Sequence, residues 1–229
     1  MAKTTWGLRA VVLAASGALV LAACGGGDGD SSESSGSGNE EGAQGGTLYY
    51  LDTSEQVQHL DPQRNYTGED LAFAGSFLHR TLTTYKFSPD PAEANELVAD
   101  LATDTGTPNE DATEWQFTLI DNATWEDGET VTCEDVKYGV SRTFAQDVIT
   151  DGPQFAVSLL DIPTDDEGAS QYKGPYTGEG QELFDEAVTC DGETISFKLN
   201  KSVADFNYAT TLLAFSPVRE DLDTGEQYT

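Results

Sequence analysis

The residues Ser170-Gln171-Tyr172-Lys173 place a hydroxyl group three positions before an amine. This S-x-x-K spacing occurs in acyl-transfer enzymes, in which the serine is the nucleophile. Here the four residues lie in a polar stretch, and neither S-D-N nor K-T-G follows them. The sequence also lacks G-x-S-x-G, H-E-x-x-H and the phosphate-binding G-x-x-x-x-G-K-[ST] pattern. The residue types therefore give little support to catalysis, and we expect no enzyme activity and no cofactor.

Cys24 is a second reactive side chain, and it follows a segment with the features of an export signal. Residues 1–23 begin with basic side chains, continue with an uncharged apolar run over 10–20, and end in small residues. The run is shorter than the roughly 20 apolar residues that a membrane-spanning helix needs. Leu21-Ala22-Ala23-Cys24 resembles the lipobox of bacterial lipoproteins, which implies cleavage before Cys24 and acylation of its thiol. An uncleaved anchor helix and an ordinary cysteine are the alternatives.

Residues 24–45 are mostly Gly, Ser, Asp and Glu. A chain of this composition has no apolar periodicity with which to bury a core, and it behaves as a flexible coil. We expect a disordered tether between the lipid and a folded domain that spans residues 46–229. Two or more acyl chains hold a protein stably on a membrane, so a lipid-anchored protein on the extracytoplasmic face is predicted.

Cys133 and Cys190 remain once Cys24 is assigned to the lipid. An even pair of cysteines in an exported protein suggests one disulfide bridge. A metal site is the competing interpretation, but neither cysteine has a Cys or His two to four residues away. The two histidines, His59 and His79, form no ligand pattern either. We therefore expect a disulfide and no metal.

The charge of the chain excludes one class of partner. Its 41 acidic residues outnumber 11 basic ones, which gives a formal net charge of −30. Such a surface repels nucleic acid, so nucleic-acid binding is not expected. The acidic surface by itself indicates solubility rather than a cationic ligand.

Hydrophobic periodicity from residue 46 onward predicts a mixed α and β fold. Alternation is clearest in Trp115, Phe117 and Leu119, which should share one face of a strand. Thr132 and Asp135 predict a capping box at a helix start, and Val136, Val140 and Phe144 share that helix's face. The other expected elements are a strand over 47–51, a helix over 70–82, a surface excursion over 151–181, a hairpin over 187–199, and a helical stripe over 206–213 that ends before Pro217.

An ordered set of segments resembles the family 5 bacterial extracellular solute-binding proteins. The set comprises the Leu60-Asp61-Pro62 turn, the strand over 115–119, the turn Trp125-Glu126-Asp127-Gly128 leading into the V-T-x-E-D-V stretch over 131–136, and the hairpin over 188–199. The resemblance covers nearly all of residues 46–229. Trp125 and Asp127-Gly128 fit a packing and turn device, and Arg142 fits a structural ion-pair partner.

The resemblance implies a fold like that of periplasmic binding proteins, in the class with an extra inserted domain. Residues 46–60 and 187–229 would form the first lobe, and residues 61–186 the inserted domain. The second lobe would be missing, so a truncated fragment is expected. Family members close two lobes around a ligand by a hinge.

The resemblance also implies a function. We expect a monomeric substrate-binding lipoprotein that delivers a peptide or another small solute to the permease subunits and ATPases of an ABC importer. Tyr49, Tyr50 and Asp52, at the end of the first strand, would be the ligand contacts, although the tyrosines could instead belong to the core. A cell-surface serine hydrolase or penicillin-binding-type lipoprotein is the alternative, which rests on the S-x-x-K match at Ser170.

Overall fold

A computed structural model describes residues 46–47, 49–51, 57 and 59–226. The predicted signal peptide, the tether, Cys24 and Asp52 lie outside the described residues. The described residues from Tyr50 onward form one compact unit. Its elements, in chain order, are α1 Gly68–Phe77, β1 Thr83–Tyr85, β2 Leu97–Ala99, β3 Thr107–Pro108, β4 Glu114–Thr118, α2 Cys133–Arg142, α3 Phe155–Leu159, α4 Gln181–Ala187, β5 Val188–Asp191, β6 Thr194–Lys198 and α5 Phe206–Ala209, followed by 3-10 turns at Leu213–Phe215 and Glu220–Leu222.

The main sheet is antiparallel, with strand order β3-β4-β6-β5. In β4, Trp115 and Phe117 are buried while Gln116 and Thr118 are exposed, as the alternation predicts. β5 and β6 form the predicted hairpin, with Asp191 paired to Thr194. At its tip Gly192 adopts a φ of +57°, a conformation that glycine reaches without steric cost. The apolar face of the sheet packs into the core with Phe184, Phe206 and Phe215.

Helix α2 begins at the capping box that the sequence predicts. The Thr132 side chain accepts from the Asp135 N–H, and the Asp135 carboxylate accepts in return from the Thr132 N–H. Val136 and Val140 are buried on one face of α2, as predicted. Phe144 is buried too, but it lies in the turn that follows, because the helix ends at Arg142. The disulfide between Cys133 and Cys190 joins the first turn of α2 to β5, with 5.9 Å between the two Cα atoms.

Three predicted elements differ from the structure. The helix predicted over 70–82 ends at Phe77, because the N–H groups of Leu78 and His79 both bond to Ala74 and close the helix. The described residues of 47–51 form no strand, since no strand of the described part of the chain pairs with them. The stripe over 206–213 splits into α5 and the 3-10 turn Leu213–Phe215.

The segment 151–181 is more than a surface excursion. It contains α3, and Ala156, Leu160, Ile162 and Tyr172 are buried in the core. Tyr172 stacks on Phe184 with 4.7 Å between ring centroids. The sequence does not predict these core positions, because they are widely spaced among Gly and acidic residues.

The division into a first lobe and an inserted domain stays a prediction. Strands β4 and β6, which that division assigns to different domains, pair along their whole length. The disulfide crosses the same boundary. Among the described residues, no helix is long and apolar enough to cross a bilayer.

Candidate functional site

Two exposed aromatic side chains lie on segments that contact each other. Tyr66, in the turn before α1, is 66% exposed, and Phe155, at the start of α3, is 46% exposed. We call the segments that carry them, residues 61–67 and 150–155, the Tyr66–Phe155 surface. Exposed aromatic rings on a rigid scaffold are well suited to contacting a ligand, because they bring a large contact area at a small entropic cost.

Direct contacts hold the two segments of this surface together. Arg64 Nε donates to the Thr150 carbonyl at 3.0 Å, and its guanidinium lies 3.7 Å from the Asp151 carboxylate. Gly152 approaches so closely that a Cβ there would lie 2.1 Å from the Gln63 carbonyl oxygen. The junction therefore requires glycine at position 152.

Asp151 carries the backbone conformation that makes this junction unusual. Its φ is +64°, in the left-handed region that non-glycine residues rarely adopt. Conformations of this kind cost on the order of 1–3 kcal/mol and are concentrated at functional sites. The strained residue sits between the two positions that contact the 61–67 turn.

A buried ion-pair network holds the 61–67 segment in place. Arg142 is fully buried, and its guanidinium donates to both carboxylate oxygens of Asp61, at 3.0 and 2.7 Å, and to the Gln63 side-chain oxygen. Its Nε lies 2.9 Å from Asp223 and donates to the Tyr176 hydroxyl at the same distance. The bidentate pairing with Asp61 gives this part of the turn one defined geometry. Arg142 is thus the ion-pair partner that the sequence predicts.

Two tyrosines complete the network. The hydroxyls of Tyr138 and Tyr176 donate to the same oxygen of Asp223, at 3.0 and 2.9 Å. Burial raises the pKa of both tyrosines well above the ordinary value, so both remain protonated donors at neutral pH. The network ties three other parts of the chain, at residues 61–63, 176 and 223, to α2.

The described residues include two of the predicted ligand contacts, Tyr49 and Tyr50. Tyr49 is 82% exposed and Tyr50 is 45% exposed, so neither belongs to the core. Tyr50 packs against Phe73 and Phe77 of α1, with ring centroids 5.4 and 5.7 Å apart. Their role as ligand contacts stays a prediction, as does that of Asp52.

Sequence reasoning missed Tyr66, Asp151 and Phe155. They lie in segments of the chain more than 80 residues apart, and a helix or strand period links none of them. The Leu60-Asp61-Pro62 turn was the available signal, because it marks where the chain must change direction beside Tyr66.

Ser170 is not arranged as a nucleophile. The residue is 8% exposed, and its hydroxyl oxygen accepts a hydrogen bond from the Tyr172 N–H at 3.2 Å. Within the part of the chain that the structure describes, this hydroxyl forms no hydrogen bond to Lys173. The serine instead shapes the turn that buries Tyr172, which accounts for the S-x-x-K match in structural terms.

The Tyr66–Phe155 surface combines apolar rings with a paired charge. It offers two exposed aromatic rings, and its one cation, Arg64, is paired with Asp151. Over residues 59–226 and the described positions before them, no three His, Cys, Asp or Glu side chains are grouped to hold a metal ion.

The fold has clear relatives among solved structures. A clavulanic acid biosynthesis oligopeptide binding protein 2 is 33% identical over 74% of this chain, with a TM-score of 0.63. The murein tripeptide binding protein MppA of Escherichia coli is 26% identical over 71% of the chain, with a TM-score of 0.53. The OppA protein of Burkholderia pseudomallei shares the fold at 22% identity over 72% of the chain, with a TM-score of 0.56.

The chain spans 29%, 28% and 29%, respectively, of the lengths of these three structures. A search of curated proteins finds no match. The family model for bacterial extracellular solute-binding proteins, family 5 Middle, matches residues 96–229, which is more than half of the chain. This match, together with the fold, shows that the chain belongs to the family 5 bacterial extracellular solute-binding proteins.

Proposed function

We propose that this chain is the substrate-binding lipoprotein of an ABC importer, which binds peptide-like solutes and delivers them to membrane permease subunits served by cytoplasmic ATPases. The family match over residues 96–229 is the observation that carries the proposal. A relative that is 33% identical and named as an oligopeptide binding protein supports a peptide-like solute. The protein acts as a monomeric carrier and uses no cofactor.

The Tyr66–Phe155 surface is the part of the chain that contacts the solute. Its two segments are locked together by Arg64 and Gly152, and Arg142 fixes the turn beneath them. A preformed surface loses little conformational entropy when a ligand binds. The exposed rings of Tyr66 and Phe155 supply apolar contact to the solute.

The protein is held on the extracytoplasmic face of the cell membrane by acyl groups on Cys24. Residues 1–23 direct export and are then removed, and residues 24–45 form the tether. The lipobox resemblance and the extracellular character of the family support this placement. The disulfide between Cys133 and Cys190 fits an oxidising compartment.

A peptide-binding experiment tests the solute. The 229-residue chain is screened against short peptides by thermal shift, and hits are measured by calorimetry. We expect saturable binding that raises the melting temperature, since a ligand that binds only the folded state stabilises it. Tyr66→Ala and Phe155→Ala should each weaken binding, whereas Tyr208→Ala, a control at another exposed aromatic residue, should not.

Peptide binding is contradicted if no peptide shifts the melting temperature. The assignment of the Tyr66–Phe155 surface is contradicted if Tyr208→Ala weakens binding as much as the two test variants. The anchor is tested separately by mass spectrometry of the protein from bacterial membranes. Acylated Cys24 at the new N-terminus is expected, and Cys24→Ser should release the protein from the membrane fraction. An unmodified Cys24 in a membrane-free protein would contradict the anchor.

A further inference from the structure

Four aspartates of the chain are followed directly by a glycine: Asp28, Asp127, Asp151 and Asp191. Asp28 lies outside the described residues. In an Asp-Gly pair the glycine amide nitrogen can attack the side-chain carboxyl carbon of the aspartate, because glycine has no side chain that blocks the approach. The surroundings of the three described pairs decide which of them can react while the chain is folded.

The reaction changes the main chain without changing the mass. The glycine nitrogen bonds to the aspartate Cγ, and one carboxylate oxygen leaves as water with the amide proton and a proton from solvent. The product is a five-membered succinimide ring. Water then opens the ring and returns the solvent proton. Cleavage of the bond from nitrogen to Cγ restores aspartate, whereas cleavage of the bond from nitrogen to the main-chain carbonyl carbon gives isoaspartate, whose main chain runs through the side-chain methylene.

Hydrogen bonds hold both reacting groups of the Asp127-Gly128 pair. The Gly128 N–H donates to the Trp125 carbonyl at 3.0 Å. The Asp127 carboxylate accepts from the Glu129 N–H at 3.0 Å and from Arg219. Ring closure would break these contacts.

The sheet restrains the Asp191-Gly192 pair. Asp191 is the last residue of β5 and pairs with Thr194 of β6, and the residue before it, Cys190, is bridged to Cys133. Closing the ring rotates the aspartate about its bond from Cα to the carbonyl carbon, which the strand pairing opposes.

The Asp151-Gly152 pair has neither restraint. It lies between α2 and α3, outside any helix or strand. The Asp151 side chain is 82% exposed, and its carboxylate lies 3.7 Å from Arg64, beyond hydrogen-bond distance. None of the described residues accepts a hydrogen bond from the Gly152 N–H. The nitrogen and the carboxyl carbon are therefore both available.

The φ of +64° at Asp151 favours the product. This conformation is strained for a residue with a side chain, and it persists only while the surroundings enforce it. The main chain of isoaspartate contains one extra carbon and is released from this restraint.

The same extra carbon would separate the contacts of the junction. Arg64 bonds to the Thr150 carbonyl on one side of Asp151, and Gly152 packs against the Gln63 carbonyl on the other. These contacts fit a main chain of normal length, so a lengthened chain cannot keep both.

We propose that Asp151 is a site of spontaneous isomerisation to isoaspartate, and that this modification disconnects the two segments of the Tyr66–Phe155 surface. The reaction needs only water, and it limits the lifetime of the surface. The consequence for solute binding rests on the proposed function, whereas the reaction and the loss of the junction do not.

Storage of the full 229-residue chain for weeks at neutral pH tests the reaction. After reduction, trypsin places the three described pairs in separate peptides, 143–173 for Asp151, 87–137 for Asp127 and 174–198 for Asp191. In the folded chain, peptide 143–173 should split into two chromatographic peaks of equal mass, while the other two peptides stay single. A chain stored in guanidinium chloride is the control, and there all three peptides should split.

Brief trypsin treatment of the stored, folded chain tests the junction. Isomerisation frees Arg64 from Thr150, so chains with isoaspartate at position 151 should be cut first after Arg64. The chains that remain uncut there should be depleted of isoaspartate. Cleavage after Lys201, an exposed lysine outside both segments, is the internal control and should not depend on isoaspartate.

Two variants complete the test. Asp151→Glu keeps the charge but would have to close a six-membered ring, which is much slower, so peptide 143–173 should stay single and cleavage after Arg64 should stay slow on storage. Asp191→Glu is the matched control at another Asp-Gly pair, and it should leave isomerisation at Asp151 unchanged.

Two results would overturn the inference. One is isoaspartate at Asp151 that does not exceed the levels at Asp127 and Asp191 in the folded chain. The other is cleavage after Arg64 at equal rates in chains with and without isoaspartate. Both are measured on the unaltered chain, so they stand even if Asp151→Glu fails to fold. Neither uses a solute, so both are independent of the test of peptide binding.

Discussion

At the scale of single residues, Arg142 contributes most to the geometry of the candidate site. The chain has 11 basic residues, and it places this one where no solvent reaches it. Burying a charge is costly unless its partners are complete, and here Asp61, Asp223, Gln63 and Tyr176 supply them. The network therefore specifies one position for the turn before Tyr66, although an apolar cluster could be equally stable.

Arg142→Met should lower the free energy of unfolding by about 3–5 kcal/mol, because it leaves buried carboxylates unpaired. Arg80→Met is the matched control, since Arg80 also contacts an aspartate through two nitrogens, at 2.8 and 2.6 Å, but at the surface. Its effect should stay below about 1 kcal/mol. Urea denaturation measures both, and equal losses would contradict the role assigned to burial.

His79 should make stability depend on pH. Its Nε2 lies 3.0 Å from the Leu60 carbonyl, and burial lowers its pKa, an effect that the hydrogen bond and Asp61 partly oppose. The folded state therefore favours neutral His79. The resulting stabilisation is present above the unfolded pKa of about 6.5 and is lost as pH falls toward the folded pKa.

The measurement compares urea denaturation at about pH 7.5 and about pH 5.5, on either side of the unfolded histidine pKa. The unaltered chain should lose more stability on acidification than His79→Gln does. The unaltered chain must be compared with His79→Gln, because acidification also protonates acidic residues and relieves charge repulsion in both proteins. His59→Gln serves as the control, and a pH response in His79→Gln equal to that of the unaltered chain would refute the assignment.

At the scale of elements, local signals were sufficient for part of the fold. The alternation in β4, the capping box at Thr132 and the Asp191-Gly192 hairpin each depend on residues a few positions apart, and the structure contains all three. The end of α1 and the core contribution of segment 151–181 depend on tertiary packing, which a periodicity cannot report.

The candidate site, like the end of α1, depends on tertiary packing rather than on local signals. Arg64 reaches Thr150 across 86 positions, and Arg142 reaches Asp61 across 81. Neither pairing leaves a spacing in the sequence that points to the other residue. Sequence reasoning identified Arg142 as an ion-pair partner from the acidity of the chain, but it could not identify which carboxylate it meets. The family resemblance predicted a function and the ligand contacts Tyr49, Tyr50 and Asp52, and these contacts stay predictions.

Two helical glycines test the packing of their elements. In α2, a Cβ at Gly139 would lie 2.0 Å from the Ser216 carbonyl oxygen, so Gly139→Ala should cost about 1–3 kcal/mol through overpacking. In α1, the nearest heavy atom to a Cβ at Gly75 is 3.8 Å away, in Leu213. Gly75→Ala should instead stabilise the protein by about 0.5–1 kcal/mol through helix propensity.

Thermal and urea denaturation of the two alanine variants show whether each substitution raises or lowers the free energy of unfolding. Opposite signs are expected, because the residue change is the same and only the surroundings differ. If both variants were stabilised, the close approach of α2 to the segment at Ser216 would be wrong.

At the scale of the whole molecule, charge is the dominant property. With 41 acidic and 11 basic residues, repulsive pairs far outnumber attractive ones. The exposed pairs, such as Lys86 with Glu93, engage only a minority of the carboxylates. The compact state therefore carries a repulsive free energy that the unfolded chain partly escapes.

Added sodium chloride should raise the melting temperature. The Debye length falls from about 10 Å at 0.1 M to about 3 Å at 1 M salt, which screens repulsion over the surface. Sodium and potassium chloride should act alike, because the effect depends on ionic strength. Differential scanning calorimetry measures it, and a melting temperature that stays constant or falls with salt would show that the surface charges are balanced locally.

The bridge between Cys133 and Cys190 makes the free energy of unfolding depend on the compartment. While both thiols are reduced, the loop of 57 positions stays open and the chain lacks about 4 kcal/mol of stabilisation in the chain-entropy model. In an oxidising medium the bridge forms, and unfolding the same chain then requires correspondingly more free energy.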